Sequence, residues 1–235
     1  IVHGWNDYPT GLQFTLIDPT NGINVFSPVS NFGYSVQEGD SVRVRGVIDQ
    51  YLGLAQIRID TLIFEGSGFP SDTPQLVFEM DEETESRIVK LKCTELVDLA
   101  DWTNTTPGFN VRLAFGQQEI IMRIDANTDL FGAPAPVGVF GVTGIGGQSD
   151  PNSPFVDGYT ITPRGQSDLT EPVNASFDVA SPWDGSSGPV VLNNTSTGAG
   201  EYLWNMGDGE SYNEFLPAHS YLESGDFTIT LSAFG

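Results

Sequence analysis

The sequence predicts an all-β protein: two small β-barrels in tandem followed by an incomplete β-sandwich. Three observations predict it. Short β-branched and aromatic runs alternate with polar residues and are punctuated by 27 Gly and 15 Pro. No long helical period interrupts them. The pattern of the first stretch also returns about 97 residues later, too long a period for a solenoid and fitting a duplicated domain.

The first unit takes residues 1–75. Phe14, Leu16, Ile23 and Val25 alternate with polar or small residues, giving two half-buried strands. Between them, Asp18-Pro19-Thr20-Asn21-Gly22 supplies a hairpin turn, because Asn-Gly reaches positive φ at little cost. After the Glu38-Gly39-Asp40 turn, Val42, Val44 and Val47 are expected on one face and Arg43 and Arg45 on the other. Gly46 is expected to mark a bulge or bend. A further strand is expected over 54–64, and 66–74 is a linker by composition.

The second unit takes residues 76–171. Its acidic start (Asp81, Glu82, Glu83, Glu85) reads as a solvated face with one helical turn, followed by a strand over 88–94. Gly108-Phe-Asn-Val-Arg-Leu then parallels Gly11-Leu-Gln-Phe-Thr-Leu. The runs from Glu119 and Gly138 parallel those from Gly22 and Ser41. Cys93, the only cysteine, sits among Val89, Leu91 and Leu96 and is expected to be a small buried hydrophobe. It permits no intrachain disulfide.

The third unit takes residues 172–235. Its boundary coincides with a shift in charge: after Arg164 there is no Lys or Arg, while acids continue to Asp226. Trp204 reads as the residue filling an inter-sheet core, with Gly207-Asp208-Gly209 as the turn after it. A strand is expected from Phe227. Both ends read as cut, Ile1–Gly4 as the tail of a strand already under way and the last strand as one with no partner after it. The expectation is a piece of a longer polypeptide.

Five- or six-stranded units with a long, bent, glycine-bearing strand suit OB-type barrels. The strings FTLIDPTNGINVF, EGDSVRVRG, MRIDANTDLF and VTGIGGQSDPNSPFVDGYTITPR carry a resemblance. Residues 1 to about 170 resemble the tandem OB-like domains of large secreted proteins of the Bacteroidetes type. The run Trp204-Asn-Met-Gly-Asp-Gly, with His219-Ser-Tyr221 and Gly225-Asp-Phe-Thr-Ile-Thr-Leu, is similar to the PKD domain, an immunoglobulin-like sandwich. Met206 stands where that family usually has Phe. The resemblance implies two tandem OB-like β-barrels followed by an incomplete PKD/immunoglobulin-like β-sandwich. It further implies neighbouring adhesion-like modules, a type IX secretion route and an extracellular or cell-surface location.

The chemistry the sequence offers is narrow. The formal charge of −22 repels phosphate backbones and anionic membrane surfaces, which argues against nucleic acid as a partner. Phe14, Phe26, Phe32, Tyr34 and Tyr51 would be the stacking residues of such a site, with Arg43, Arg45 and Arg58 its only cations. No run of about 18 apolar residues exists to insert in a membrane. With two distant histidines and one cysteine, no nucleophilic triad or conventional zinc site is expected, and His219 reads as a packing and hydrogen-bonding residue. Modules this small, without long insertions, are not expected to build a deep cleft.

Calcium is the one cofactor that the spacing admits. Asp125, Asn127 and Asp129 present oxygens on alternate residues, but Leu130 and Pro136 fail the EF-hand pattern, and an Asx-type turn is the competing reading. Asp150, Asn152 and Asp157 form a second acidic loop, and the glycine-rich run from Gly144 to Gln148 reads as a turn. Trp5, Trp102 and Trp183 are candidates for stacking on sugars. The expected role is non-catalytic and structural or adhesive, through self-association or surface assembly, including a filament. The alternative is a carbohydrate-binding or targeting region of a secreted hydrolase, and a weaker one is extracellular nucleic-acid binding.

Overall fold

The computed structural model describes residues 1–8, 10–179 and 188–234. The fold is all-β, as the sequence predicts, and divides into two compact units, residues 1–170 and 171–235. Trp183 lies outside the described residues.

The first unit holds two closed five-stranded barrels of one topology. In the first, β1 (Val2–His3), β2 (Leu12–Ile17), β3 (Gly22–Ser27), β4 (Ser41–Tyr51) and β5 (Leu54–Gly66) run in the order β1-β2-β3-β5-β4. Val2 closes the ring: its N–H donates to Asp40 O at 2.8 Å and its carbonyl accepts from Gly39 N–H at 3.0 Å, immediately before β4. The second barrel uses β7 (Ile88–Leu96), β8 (Gly108–Phe115), β9 (Gln118–Asp125), β10 (Phe140–Gln148) and β11 (Tyr159–Thr162). Their order is β7-β8-β9-β11-β10, closed by β10 pairing back on β7. Short edge pieces β6 (Gln75–Leu76) and β12 (Leu169–Thr170) extend this sheet. In both rings the third and fifth strands pair in parallel and their other neighbours antiparallel. The equivalents of β2, β3 and β4 fall where the sequence repeat places them.

The β2–β3 hairpin forms for the expected reason. Asp18 Oδ1 accepts from the N–H groups of Thr20 (2.7 Å) and Asn21 (3.0 Å), fixing the turn. Leu12, Phe14 and Val25 then point into the first core with Val2, Val42 and Ile59. Leu91, Val111, Leu113, Met122, Ile124 and Ile161 fill the second, larger core.

Two expectations fail, both at bulges. Val47 does not join Val42 and Val44 inside; it is 70 % exposed. Arg45 pairs with Thr61 but Gly46 pairs with Ile59, so the extra residue is Asp60 on β5. The alternation of β4 therefore runs on unbroken and carries Val47 out beside the arginines. Gly46 is needed there because a Cβ would lie 2.1 Å from the Arg58 carbonyl oxygen.

Cys93 is exposed rather than buried. Phe140 pairs with Thr94 and Val142 with Leu91, which leaves one residue too many on β7. Cys93 takes up the excess at φ 59° and turns outward. A Cβ strains that left-handed backbone, so Cys93→Gly is expected to raise the stability of the barrel unit by about 0.5–1 kcal/mol. Urea unfolding of the two proteins measures it.

The second unit is a small sandwich. One sheet joins β13 (Phe177–Val179), β14 (Val190–Asn194) and β17 (Ala218–His219). The other joins β15 (Glu201–Asn205), β16 (Ser211–Tyr212) and β18 (Thr230–Phe234). The last strand starts at Thr230, three residues later than expected from Phe227. Val190, Leu192, Trp204 and Met206 form the core between the sheets. Trp204 is the central core residue the sequence predicts, packed edge-on against Phe177 at 5.2 Å.

Candidate functional site

The two barrels meet face to face through equivalent strands. On β2 and β3 the residues that alternate with the core side chains are Gln13, Thr15 and Asn24. On β8, β9 and β11 they are Asn110, Ile121, Arg123, Thr160 and Thr162. These outward positions, polar with one exception, line a cleft of about 310 Å³ between the barrels, joined by His3 and Trp5 from the first barrel's N-terminal segment.

The contact around the cleft is specific. Asp150 N–H donates to Leu52 O at 2.7 Å, and Arg164 Nη1 donates to Glu38 Oε1 at 2.7 Å. Glu85 Oε2 accepts from Ala55 N–H at 3.4 Å. Backbone approaches backbone so closely at Gly22 that a Cβ would fall 1.7 Å from Ser86 O. The acidic run before β7 thus is not wholly a solvated face: Glu82 and Glu83 start a short 3-10 turn capped by Asp81, but Glu85 is turned inward and is 9 % exposed. Burial pushes its pKa up to about 7, the Ala55 amide opposes the rise, and the Glu82 charge adds to it.

Several polar atoms at the cleft have no partner among the described residues. Asn24 Oδ1 and both ring nitrogens of His3 are buried without a hydrogen bond, and Trp5 Nε1 has only the Asp7 carboxyl beside it, without good hydrogen-bond geometry. His3, expected at a ragged start, is 1 % exposed on β1. Its Nε2 comes within 3.2 Å of Asp72 Oδ2 without hydrogen-bonding geometry, and burial lowers its pKa, so it is neutral at pH 7. Asp7 lines the cleft with its side chain exposed to water, yet protein crowds it on most sides. That burial pushes its pKa up to about 7, the Asp125 charge adds to the rise, and Trp5 and Arg123 oppose it.

The two carboxylates among the calcium candidates accept from protein donors, and Asn127 is one of those donors. Asp125 Oδ1 accepts from Asn127 N (2.8 Å) and Nδ2 (2.7 Å), while Asp129 Oδ1 accepts from Gln166 N (2.6 Å). The geometry is that of an Asx-type turn. Asp150 likewise accepts from Asn152 N (2.8 Å) and Asp157 N (3.3 Å). Among the described residues no three His, Cys, Asp or Glu side chains are grouped as metal ligands would be. The Gly144–Gln148 run is not a turn but the end of strand β10.

Trp102 belongs to a core: its Nε1 donates to Ala133 O at 2.9 Å and its ring packs edge-on against Phe109. Phe14 and Tyr34 are core residues as well, whereas Phe32 and Tyr51 are exposed. Of the sugar-stacking candidates within the described residues, only Trp5 reaches the cleft. In the second unit His219 is buried, bonded through Nε2 to Asp208 Oδ2 (2.7 Å) and through Nδ1 to Tyr212 OH (3.0 Å). Burial raises the Asp208 pKa, but the Glu210 N–H and His219 outweigh it and hold the carboxyl below its usual range. The chain pins the Gly207–Gly209 turn to β16 and β17.

The PKD domain family matches residues 182–235, and no curated protein matches the chain. PKD domains are non-catalytic β-sandwich modules found mainly in extracellular or surface proteins. Among the described residues no helix is long and apolar enough to cross a membrane.

Proposed function

We propose that the chain is a non-catalytic region of a large secreted or cell-surface bacterial protein, with a structural or adhesive role in which copies of the chain associate. The observation that supports it is the outer ribbon of β4 and β5. Val47, Tyr51 and Ile63 are each at least half exposed on the face that carries the arginines, and Ile48 and Phe64 are at least half exposed on the opposite face. The same ribbon carries Arg43, Arg45 and Arg58, three of the nine basic residues of a chain with 31 acids. Arg43 and Arg58 are paired with Glu65 and Asp49; Arg45 has no ion pair among the described residues. Asp49, Asp60 and Glu65 balance the three arginines, so the ribbon is neutral in a chain of formal charge −22, and a second copy can meet it without the like-charge repulsion the rest of the surface carries.

Sedimentation velocity over a range of protein concentrations tests the proposal. The wild-type chain is expected to associate, and Arg45→Glu with Val47→Glu, both on exposed side chains, is expected to leave monomer. A wild-type monomer at every concentration overturns the reading, as does association untouched by the two substitutions.

A further inference from the structure

We propose that the cleft between the barrels binds one uncharged, hydroxyl-rich ring, a neutral sugar residue, held by Trp5, Asn24 and the polar side chains around them. The cleft measures about 310 Å³, the lower end of the ~300–1,000 Å³ typical of small-molecule sites. Its wall is built for hydrogen bonds that the protein does not complete. Asn24 is 6 % exposed and its Oδ1 has no donor, neither ring nitrogen of His3 is hydrogen-bonded, and the Trp5 indole N–H has only the Asp7 carboxyl beside it, without good hydrogen-bond geometry. Buried polar groups are rarely left so, and those here line one space.

The chemistry of the lining selects the ligand. Thr160, Thr162, Gln13 and Asn110 offer neutral donors and acceptors, while Leu54, Ile121 and Ile145 give an apolar floor. A ring with hydroxyls around its edge and C–H groups on its face meets both. The ionisable groups of the lining are His3, Asp7 and Arg123. An anion would face Asp7 and a cation Arg123, so neither sign of charge is matched. The sites of sheet-to-sheet contact and of self-association differ, so this inference stands apart from the assembly role.

The test is calorimetric titration and saturation-transfer NMR on the full chain carrying Arg45→Glu and Val47→Glu, so that self-association does not enter. The probes are glucose, galactose, mannose and N-acetylglucosamine, with glucosamine and glucuronate as charged counterparts. Saturable binding of at least one neutral sugar is expected, weakened about tenfold or more by Asn24→Leu and by Trp5→Phe. Trp5→Phe keeps an aromatic face but removes the pyrrole half of the indole with its N–H, and it carries the test if Asn24→Leu does not fold. Saturation by none of the neutral sugars overturns the proposal and leaves a hydrated structural cavity. Binding that survives both substitutions, or that favours a charged counterpart, overturns it too.

Discussion

Replacing Trp204 by alanine is expected to abolish folding of the PKD-containing unit while leaving the barrel unit intact. Trp204 is fully buried between the two sheets, against Phe177, and its Nε1 donates to Glu214 O at 3.0 Å. Truncating a buried Trp costs about 3–5 kcal/mol through lost burial and the cavity left behind. A unit of this size has a total stability of about 3–10 kcal/mol at ~0.05–0.15 kcal/mol per residue, so the loss takes most of it. The core has little else to close over the gap: its other fully buried members are Leu192 and Met206. The checking measurement is calorimetric unfolding of the whole chain. Two transitions are expected for the wild type, and only the barrel transition in Trp204→Ala. A single transition that moves as one in the variant would contradict the division of the chain at Thr170.

Glu85→Gln is expected to stabilise the barrel unit at pH 8 and to change little at pH 4. The folded pKa of Glu85, about 7, lies above its ordinary value of 4.5. A group raised in this way contributes stability that is fully present below pH 4.5 and is lost as pH rises through about 7. At pH 8 the protein therefore keeps an ionised carboxylate at the barrel contact, with one oxygen unmet and the other on the Ala55 N–H. Glutamine mimics the protonated form and keeps an acceptor for Ala55. At about 1.4 kcal/mol per pH unit the shift corresponds to roughly 3 kcal/mol, an upper bound because the group still sees some water. His3 works in the opposite sense. Its depressed pKa makes its contribution present above pH 6.5 and lost as pH falls, so it blunts the wild-type profile. Because His3 and Asp7 are common to both proteins, the difference between wild type and Glu85→Gln in urea unfolding isolates Glu85. A gap equal at pH 4 and pH 8 would remove the buried carboxyl from the account.

Sequence patterning made some elements legible and hid others for a physical reason. The β2–β3 hairpin, the long β4, the repeat and the Trp204 core all follow from alternation, turn residues and one large aromatic, which act within a few residues of one another. The side of a bulge does not. Gly46 announced an irregularity, but the extra residue is Asp60 on the partner strand, and only pairing reveals that. Cys93 fails in the same way: its apolar neighbours read as core, while the register of β10 decides where it points. The cleft was the least legible feature. Gln13, Thr15 and Asn24 occupy the polar phase of half-buried strands, which sequence alone assigns to solvent. A second barrel covers them here, and no local signal in either barrel announces it. The signal that could have pointed there was the repeat itself, since two copies of one barrel have matching faces available to meet. Asp125 and Asn127 show the converse: a metal-like spacing that the backbone uses to hold a turn.

Self-association through the β4–β5 ribbon is the central claim, and imaging tests it most directly. Negative-stain electron microscopy of the chain without added ligand is expected to show ordered assemblies built on one repeated contact. Those assemblies should disappear in the Arg45→Glu, Val47→Glu variant. Isolated single particles at every concentration, alike for wild type and variant, would contradict it.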